Sequence, residues 1–253
     1  MGTSADIPRR GARTKEERKD SSGASLRNKI LSTIPDAEYR VLRAHLEPIP
    51  FRRHAILHEP TQKLQFAYFP NAGLISLLVA TEDGKTVEVG MVGNEGVAGV
   101  SAIVGMTIYT LRQLVQITGD GLAIRISALQ RCLHSAPQLQ MALNRYAVVQ
   151  GMQIAQTAAC NRLHDAGQRL ARWLLMAADR VDSSSLPITH DFLATMLGTD
   201  RPSISLAAQT LQENKIIKYR RGAIEILNRK TLERSACECY KVIQQFNGML
   251  RLP

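Results

Sequence analysis

The side chains best suited to recognise a polyanion lie between residues 187 and 227. Arg201 falls at the start of a predicted helix, where a guanidinium can pair bidentately with guanine in the DNA major groove. Ser203 and Ser205 are short donors suited to a phosphate or a base edge, and Leu206 can lie against a thymine methyl. These residue types predict contacts with a DNA duplex.

A group of cations follows that predicted helix. Lys215, Lys218, Arg220 and Arg221, here called the wing cluster, are well placed to contact phosphates. The alternative is that these charges only solvate a surface hairpin. The sequence leaves both interpretations open.

The elements that must position these side chains have the pattern of a winged helix-turn-helix. Thr189 is a good cap for a first helix, Gly198 permits a sharp turn, and Asp200 can cap a second helix that tolerates Pro202 in its first turn. Two alternating strands joined at Gly222 would form the wing. The predicted DNA-binding residues are Thr189, Thr199, Arg201, Ser203, Ser205, Leu206, Lys215, Lys218, Arg220 and Arg221.

The cysteines give a weaker signal for metal chemistry. Cys132, Cys160, Cys237 and Cys239 are scattered along the chain, and the pair at 237 and 239 lacks the usual zinc-finger spacing. Cys160 and His164 can share a helical face as two metal ligands, but two more would have to come from elsewhere. Buried thiols more often behave as small apolar groups, so we predict no metal site and no cofactor. A redox role for the Cys237–Cys239 pair is the alternative that the sequence leaves open.

Signals for catalysis are missing from the sequence. It contains no Gly-rich phosphate loop, no His-x-x-x-His pair and no Gly-x-Ser-x-Gly motif. His190 and Asp191 could suggest a catalytic pair, but their position at the start of a predicted helix explains them better. Nothing specific marks His45, His54 or His58 as a haem ligand. We therefore expect a protein that is not an enzyme.

Composition agrees with a DNA-binding protein. The 253 residues carry 32 Lys and Arg against 22 Asp and Glu, a net charge of +10, and residues 1–29 and 180–253 each hold +4 of it. A polyanionic partner is favoured by this excess. The sequence has no long apolar run and no signal peptide in residues 1–20, so we expect a cytoplasmic protein without a membrane partner.

Elements upstream of the winged segment predict an α+β protein. Residues 26–46 favour a helical opening, and strands are predicted over 66–69, 74–80, 86–92 and 113–118, with Asp83-Gly84 as a hairpin turn. Many short strands indicate an antiparallel β-roll. We predict a disordered basic tail at 1–25, a roll at 26–136, a long helix and linker at 137–180, and a winged helix-turn-helix at 181–253.

The predicted long helix, which should continue to about Val181, has two apolar stripes. Leu139, Ala142, Tyr146 and Val149 form one, which can pack on the roll. A second stripe can pack on another copy of the chain in a parallel dimer, or against other elements of the same chain. It consists of Val148, Met152, Ala155 and Ala159 and is called here the outward stripe.

Two motif blocks resemble the catabolite activator/fumarate-nitrate regulator (Crp/Fnr) family of bacterial transcription factors. FAYFPNAGLISLLVATEDGKTVEVGMVGNEGVAGV resembles the β-roll of its cyclic-nucleotide-binding-like sensor domain, and LPITHDFLATMLGTDRPSISLAAQTLQENKIIKYRRGAIEIL resembles its winged helix. The resemblance covers about residues 26–240 and implies that the long helix is the family's dimerisation helix.

Departures from the family pattern concern the signal. Nucleotide-binding members carry Gly-Glu-Leu and a later Arg in the roll, whereas Val100 follows Gly99 here and the Arg position falls at Leu111. Arg112 is one residue away, which on a strand turns it to the opposite face. We therefore expect no binding of cyclic AMP or cyclic GMP. The tail also lacks the cysteines that hold the iron–sulfur cluster in oxygen-sensing members.

A second departure lies in the recognition helix. Where the best-known member has Arg-Glu-x-x-x-Arg, this chain has Arg201, Pro202 and Leu206, so its DNA half-site should differ. The resemblance implies a homodimeric regulator that binds double-stranded DNA at a palindromic operator, with RNA polymerase as a further candidate partner. The alternative is a sensor or interaction protein of the same architecture without regulated DNA binding.

Overall fold

The structure is a computed structural model that describes residues 18–19, 23–60, 62–220 and 222–250. The described strands are β1 (Glu47–Phe51), β2 (Ile56–His58), β3 (Phe66–Pro70), β4 (Leu74–Ala80), β5 (Thr86–Val92), β6 (Arg112–Ile117), β7 (Gly119–Arg125), β8 (Ser185–Leu186), β9 (Ile217–Arg220) and β10 (Ala223–Ile226). The described α-helices are α1 (Lys29–Thr33), α2 (Asp36–Arg43), α3 (Ile126–Leu133), α4 (Pro137–Leu163), α5 (Ala166–Val181), α6 (His190–Leu197), α7 (Arg201–Glu213), α8 (Arg229–Ser235) and α9 (Cys239–Met249).

The N-terminal strands form an antiparallel β-roll, which confirms the predicted α+β class. One sheet has the order β1-β7-β3 and the other β2-β6-β4-β5. The Asp-Gly hairpin is confirmed between β4 and β5, where Gly84 has a φ of 80° and Thr81 donates to the Lys85 carbonyl over 2.9 Å. Alternating side chains from the two sheets, among them Phe51 and Leu122 of the first sheet and Leu77 of the second, fill the interior.

The helical opening consists of two short helices, α1 and α2. Most of the predicted tail at 1–25 lies outside the described residues, but Arg18 is described. Its guanidinium donates to the carbonyls of Leu31 at 2.6 Å and Ile34 at 2.9 Å, and pairs with Asp36. The basic segment is therefore tied at this point to the ends of the two opening helices.

One face of α4 packs on the roll, as its first apolar stripe predicts. Leu139, Tyr146 and Val149 are buried in the same core as the sheets. Glu38 of α2 fixes the start of α4, because its carboxylate accepts hydrogen bonds from the backbone amides of Gln138 at 3.2 Å and Leu139 at 2.8 Å. These amides have no partner within the helix, so the carboxylate acts as a cap.

The prediction of one helix to about Val181 is wrong, because the helix is interrupted between α4 and α5. His164 has extended backbone angles, and the side chain of Asp165 caps α5 by accepting from the Gln168 amide at 2.9 Å. Short aspartate side chains favour such caps over helix interiors. The break allows α5 to leave the axis of α4.

Helix α5 is the element that joins the roll to the C-terminal helices. Its Trp173 donates to the Glu88 carboxylate at 2.8 Å, and its buried Arg180 pairs with Glu95 at 3.0 Å. The same helix shares a core with α6, α7 and the sheet of order β8-β10-β9, through residues that include Leu174 and Ile204. None of the described helices combines the length and apolarity that a membrane crossing needs.

Candidate nucleic-acid interface

Helices α6 and α7 form a helix-turn-helix whose local signals are those predicted. The Thr189 hydroxyl accepts from the Phe192 amide at 3.3 Å, and the Asp200 carboxylate accepts from the Ser203 amide at 2.8 Å. Gly198 closes α6 with a φ of 57°. A left-handed residue at this position favours glycine, which lacks a Cβ.

The two faces of α7 differ in burial. Ile204, Ala208 and Leu211 point into the core shared with α5, which fixes the helix on the protein. Arg201, at the first residue of α7, and Leu206 are exposed instead, and Leu206 is 67% exposed. A leucine this exposed contributes little to folding, so its side chain is free to meet a partner.

Arg201 lies at the first residue of α7 and pairs with Asp191 of α6 across the turn. The Nε–Oδ1 distance is 3.2 Å, and both side chains are 66% exposed. An ion pair this exposed contributes little to stability, so Arg201 can leave Asp191 for a ligand at low cost.

The predicted hydroxyl donors are bonded within the protein. The Ser203 hydroxyl donates to Asp200 at 2.8 Å, and the Ser205 hydroxyl is 3.3 Å from Nδ1 of His190. Burial, with Arg201 nearby, lowers the pKa of His190, and its ring stacks on Tyr219 of the wing with centroids 4.2 Å apart. These bonds hold α6, α7 and the wing together. Thr189, which precedes α6, and Thr199, in the turn between α6 and α7, are both half-buried.

The wing brings further cations to the same end of the molecule. Lys218 and Arg220 are exposed on β9, whereas Tyr219 between them is half-buried. Lys215 is exposed just before β9 and has a φ of 55°. Arg221 lies outside the described residues.

The helix-turn-helix also packs against the roll, a contact that the sequence did not predict. A Cβ added at Gly198 would lie 3.0 Å from Cγ2 of Val87 on β5, and the rings of His54 and Phe192 have centroids 5.8 Å apart. The position of α6 is therefore coupled to the hairpin of the sensor-like roll.

The outward stripe of α4 faces away from the roll. Val148 is 64% exposed, Ala155 and Ala159 are exposed, and Met152 is partly buried. An exposed apolar stripe along a helix of this length is typical of a surface that packs on another helix.

Val100, Leu111 and Arg112 of the roll have partners within the chain. Val100 and Leu111 pack on the apolar core. Arg112 pairs with Glu59, with an Nε–Oε2 distance of 2.8 Å. Arg112 therefore already has a carboxylate partner.

The prediction of no metal site and no cofactor is wrong. One ligand atom from each of Cys160, His164, Cys237 and Cys239 lies within 4.8 Å of the others; this is called here the cysteine–histidine cluster. The two missing ligands come from the junction of α8 and α9, and α9 packs along α4, which completes the set. The sequence showed the Cys160–His164 half, but Cys237 lies 77 positions after Cys160, and this separation hid the other half.

Within the cluster the thiols are not equivalent. The Sγ atoms of Cys160 and Cys237 are 3.5 Å apart. The hydrogen bond between the two thiols lowers the pKa of Cys237 and raises the pKa of Cys160. Cys132 lies elsewhere, buried in the core of the roll.

Comparison with known proteins shows what this chain is similar to. Residues 168–235 match the model of a family described as the Crp-like helix-turn-helix domain. A search of curated proteins finds no match.

Solved structures with the same fold include three bacterial proteins. A Crp/Fnr-family regulator from Eubacterium rectale has a TM-score of 0.62 at 17% identity, over 79% of this chain and 94% of its own. FixK2 from Bradyrhizobium japonicum has a TM-score of 0.66 at 15% identity, over 76% and 98%. The c-di-GMP-responsive regulator CLP from Xanthomonas campestris has a TM-score of 0.63 at 14% identity, over 76% and 99%. These findings confirm the resemblance to the Crp/Fnr family: the chain carries a Crp-like helix-turn-helix domain and has the fold of Crp/Fnr-family transcription regulators.

Proposed function

We propose that the protein is a homodimeric transcription regulator that binds a palindromic DNA operator through α7. The observation that carries the proposal is the outward face of α7. Arg201 at its first position and Leu206 in its second turn are exposed, while other residues of the helix are buried in the core. A helix held in this way presents side chains to a major groove without a cost in folding.

Different side chains would make different kinds of contact. Arg201 would pair with a guanine edge, and Leu206, one turn beyond Pro202, would touch a thymine methyl. Lys215, Lys218, Arg220 and Arg221 would contact phosphates, which sets affinity and register without specifying sequence.

The dimer would form through the outward stripe of α4. Two parallel copies of this helix would bury Val148, Met152, Ala155 and Ala159 against each other at spacings of a helical seam. Each copy would then carry one α7, about one DNA turn from the other, so the operator should be a rough palindrome.

The roll would respond to a signal other than a cyclic nucleotide. The Arg112–Glu59 ion pair and the apolar positions of Val100 and Leu111 support this part of the proposal. A cyclic phosphate would enter a site without a free cation at those positions, and such a charge partner is expensive to replace.

The first experiment compares labelled DNA from the protein's own upstream region with a scrambled duplex, by fluorescence anisotropy over a salt series. We expect Arg201→Ala to reduce the preference for upstream DNA about 10-fold, because a bidentate base contact contributes roughly 1–3 kcal/mol. Arg40→Ala, an exposed arginine on α2, is the matched control and should leave the preference unchanged. An unaltered preference in Arg201→Ala would remove α7 from its assigned role.

The same titration tests the wing cluster. Neutralising Lys218, Arg220 and Arg221 together should flatten the slope of log affinity against log salt by roughly 2–3, for upstream and scrambled DNA alike. Absence of salt-dependent binding to either duplex in the unaltered protein would contradict DNA binding and favour the sensor alternative.

Sedimentation equilibrium tests the dimer. Ala155→Asp places a charge on the outward stripe and should convert the dimer into a monomer, because two carboxylates would meet across the seam. Ala158→Asp adds the same charge at an exposed position beside the stripe and should leave the dimer intact. Equal dissociation of both variants, or a dimer in both, would exclude this seam.

A further inference from the structure

The cysteine–histidine cluster has the distances of a single metal site. The Sγ atoms of Cys160 and Cys237 are 3.5 Å apart, Sγ of Cys239 is 3.7 Å from Nδ1 of His164, and all four ligand atoms lie within 4.8 Å. Tetrahedral zinc, with bonds of about 2.3 Å to sulfur and 2.0–2.1 Å to nitrogen, separates its ligand atoms by roughly 3.5–3.8 Å. Two of the separations already have these values, and the others need only small side-chain adjustments.

Groups around the cluster orient its ligands. Nε2 of His164 is 3.2 Å from a carboxylate oxygen of Glu238, which leaves Nδ1 facing the thiols. The Gln156 amide donates to Sγ of Cys239 at 3.0 Å. A carboxylate behind a ligating histidine and an N–H donor on a ligating sulfur are the usual outer contacts of a metal site.

Charge near the cluster favours an anionic site. Three thiolates and one divalent ion carry a net charge of about −1. The guanidinium groups of Arg169 and Arg172 are buried, and both act electrostatically on Cys160. Arg172 also acts electrostatically on the buried Glu88 carboxyl, whereas in the described part of the chain no carboxylate lies within ion-pair distance of Arg169. Buried cations normally have an anionic partner, and a thiolate–metal centre would supply one to Arg169.

We propose that Cys160, His164, Cys237 and Cys239 bind one zinc-type divalent ion as a tetrahedral Cys3His site. As the metal–sulfur bonds form, the three thiols release their protons to solvent, and no electron transfer is required. An iron–sulfur cluster would distribute these ligands over two or more iron atoms and hold them farther apart than they lie here.

The site joins two parts of the chain that are far apart in sequence. Cys160 and His164 lie at the end of α4, whereas Cys237 and Cys239 lie at the junction of α8 and α9, beyond the wing. Gln153 of α4 also donates to Asn247 of α9 at 2.6 Å. A metal ion here would therefore fix the C-terminal helices on the end of the long helix, next to the break at His164–Asp165.

This position gives the ion a role in DNA binding, a consequence that rests on the proposed function. With α4 as the dimer seam, the ion would fix the angle at which each winged helix leaves the seam. The spacing of the two α7 helices would then be set before DNA arrives, which reduces the ordering cost of binding. Loss of the ion should weaken operator binding without changing the contacts that α7 itself makes.

The test measures bound metal directly. The full chain is loaded with ZnSO4, freed of excess metal by gel filtration and analysed by inductively coupled plasma mass spectrometry. We expect about one zinc per chain in the unaltered protein and below about a tenth in Cys237→Ser and in Cys239→Ser. Cys132→Ser, which removes the buried cysteine of the roll, is the matched control and should retain the full amount.

A second measurement keeps the proposal testable where a variant fails to fold. A mercurial thiol reagent added to the zinc-loaded unaltered protein should release its zinc as about three thiols react, and cobalt in place of zinc should give the absorption of tetrahedral thiolate coordination. Absence of bound zinc, equal zinc in Cys237→Ser, or iron and inorganic sulfide in the protein as isolated would each overturn the mononuclear site.

Operator binding with and without zinc separates this inference from the proposed function. We expect removal of zinc by a chelator to weaken operator binding about 10-fold or more in the unaltered protein and not in Cys237→Ser. Stoichiometric zinc with unchanged operator affinity would refute the role in DNA binding alone. Stoichiometric zinc in a protein that binds no DNA would leave the site standing and refute the proposed regulator.

Discussion

The outward face of α7 and the cysteine–histidine cluster occupy neighbouring parts of the C-terminal half but have opposite physical properties. Arg201 and Leu206 are exposed. Asp191, which forms an ion pair with Arg201, is as exposed as Arg201 itself. Cys160 of α4 and Cys237, between α8 and α9, are buried and contact each other. Substitutions on the first surface should therefore change binding while leaving stability intact, whereas substitutions in the second should change both.

Removal of metal should produce the largest effect. At a free zinc concentration about 1,000 times the dissociation constant, the ion stabilises the fold by about 4 kcal/mol, or on the order of 10 °C in Tm for a chain of this size. Differential scanning calorimetry with and without a chelator measures this difference. Cys237→Ser should show no chelator effect, and Arg201→Ala should show the full effect. An equal shift in Cys237→Ser would place the stabilising ion elsewhere.

A smaller effect is expected from Glu88, a buried carboxyl on β5. Burial raises its pKa from 4.5 to about 7, although the hydrogen bonds from Ser76 and Trp173 lower it. Because the folded pKa is raised, the stability that the protonated group contributes is complete below pH 4.5 and is lost as the pH rises through 7. The free energy of unfolding should fall by at most about 3 kcal/mol over this range.

Urea unfolding from pH 4 to 8 measures this dependence. Glu88→Gln keeps the shape of the side chain and removes its titration, so the decline between pH 4.5 and 7 should disappear. A decline of the same size in Glu88→Gln would assign the pH dependence to another group.

A substitution at Gly198 should have an effect of intermediate size on stability. This residue belongs to the helix-turn-helix but touches the roll. Gly198→Ala should destabilise the protein by about 1–2 kcal/mol, since an alanine there has a left-handed backbone and crowds Val87. Gly248→Ala is the control: no other atom lies within 4 Å of its added Cβ, and it should be neutral or slightly stabilising. Thermal unfolding that lowers Tm equally in both variants would contradict this explanation.

The smallest effect is expected from Asp191→Asn. The exposed ion pair with Arg201 contributes little, so the free energy of unfolding should change by less than about 0.5 kcal/mol. Removing this negative charge beside α7 should nevertheless raise DNA affinity a few-fold at low salt, because Asp191 no longer competes for Arg201 or repels phosphates. A loss of affinity in the anisotropy titration would mean that Asp191 orients Arg201 for its base contact.

Local signals predicted much of the fold. Strands β3, β4 and β5 begin and end within one residue of the predicted positions, and the caps Thr189 and Asp200 both accept the amides expected of them. These features depend on neighbours within four residues. The end of α4 was predicted wrongly, since its apolar periodicity continues into α5 and conceals the turn at His164–Asp165.

Residues 187–227 by themselves determined the helix-turn-helix, because caps, a left-handed glycine and an apolar face are properties of short segments. Tertiary structure alone decided the cysteine–histidine cluster, the Arg112–Glu59 ion pair and the contact of Gly198 with Val87. Each of these joins residues that are far apart in the chain, and their meeting depends on how whole helices and sheets pack. The packing of α9 along α4 brings Cys237 to Cys160, and no local property of either segment specifies that contact.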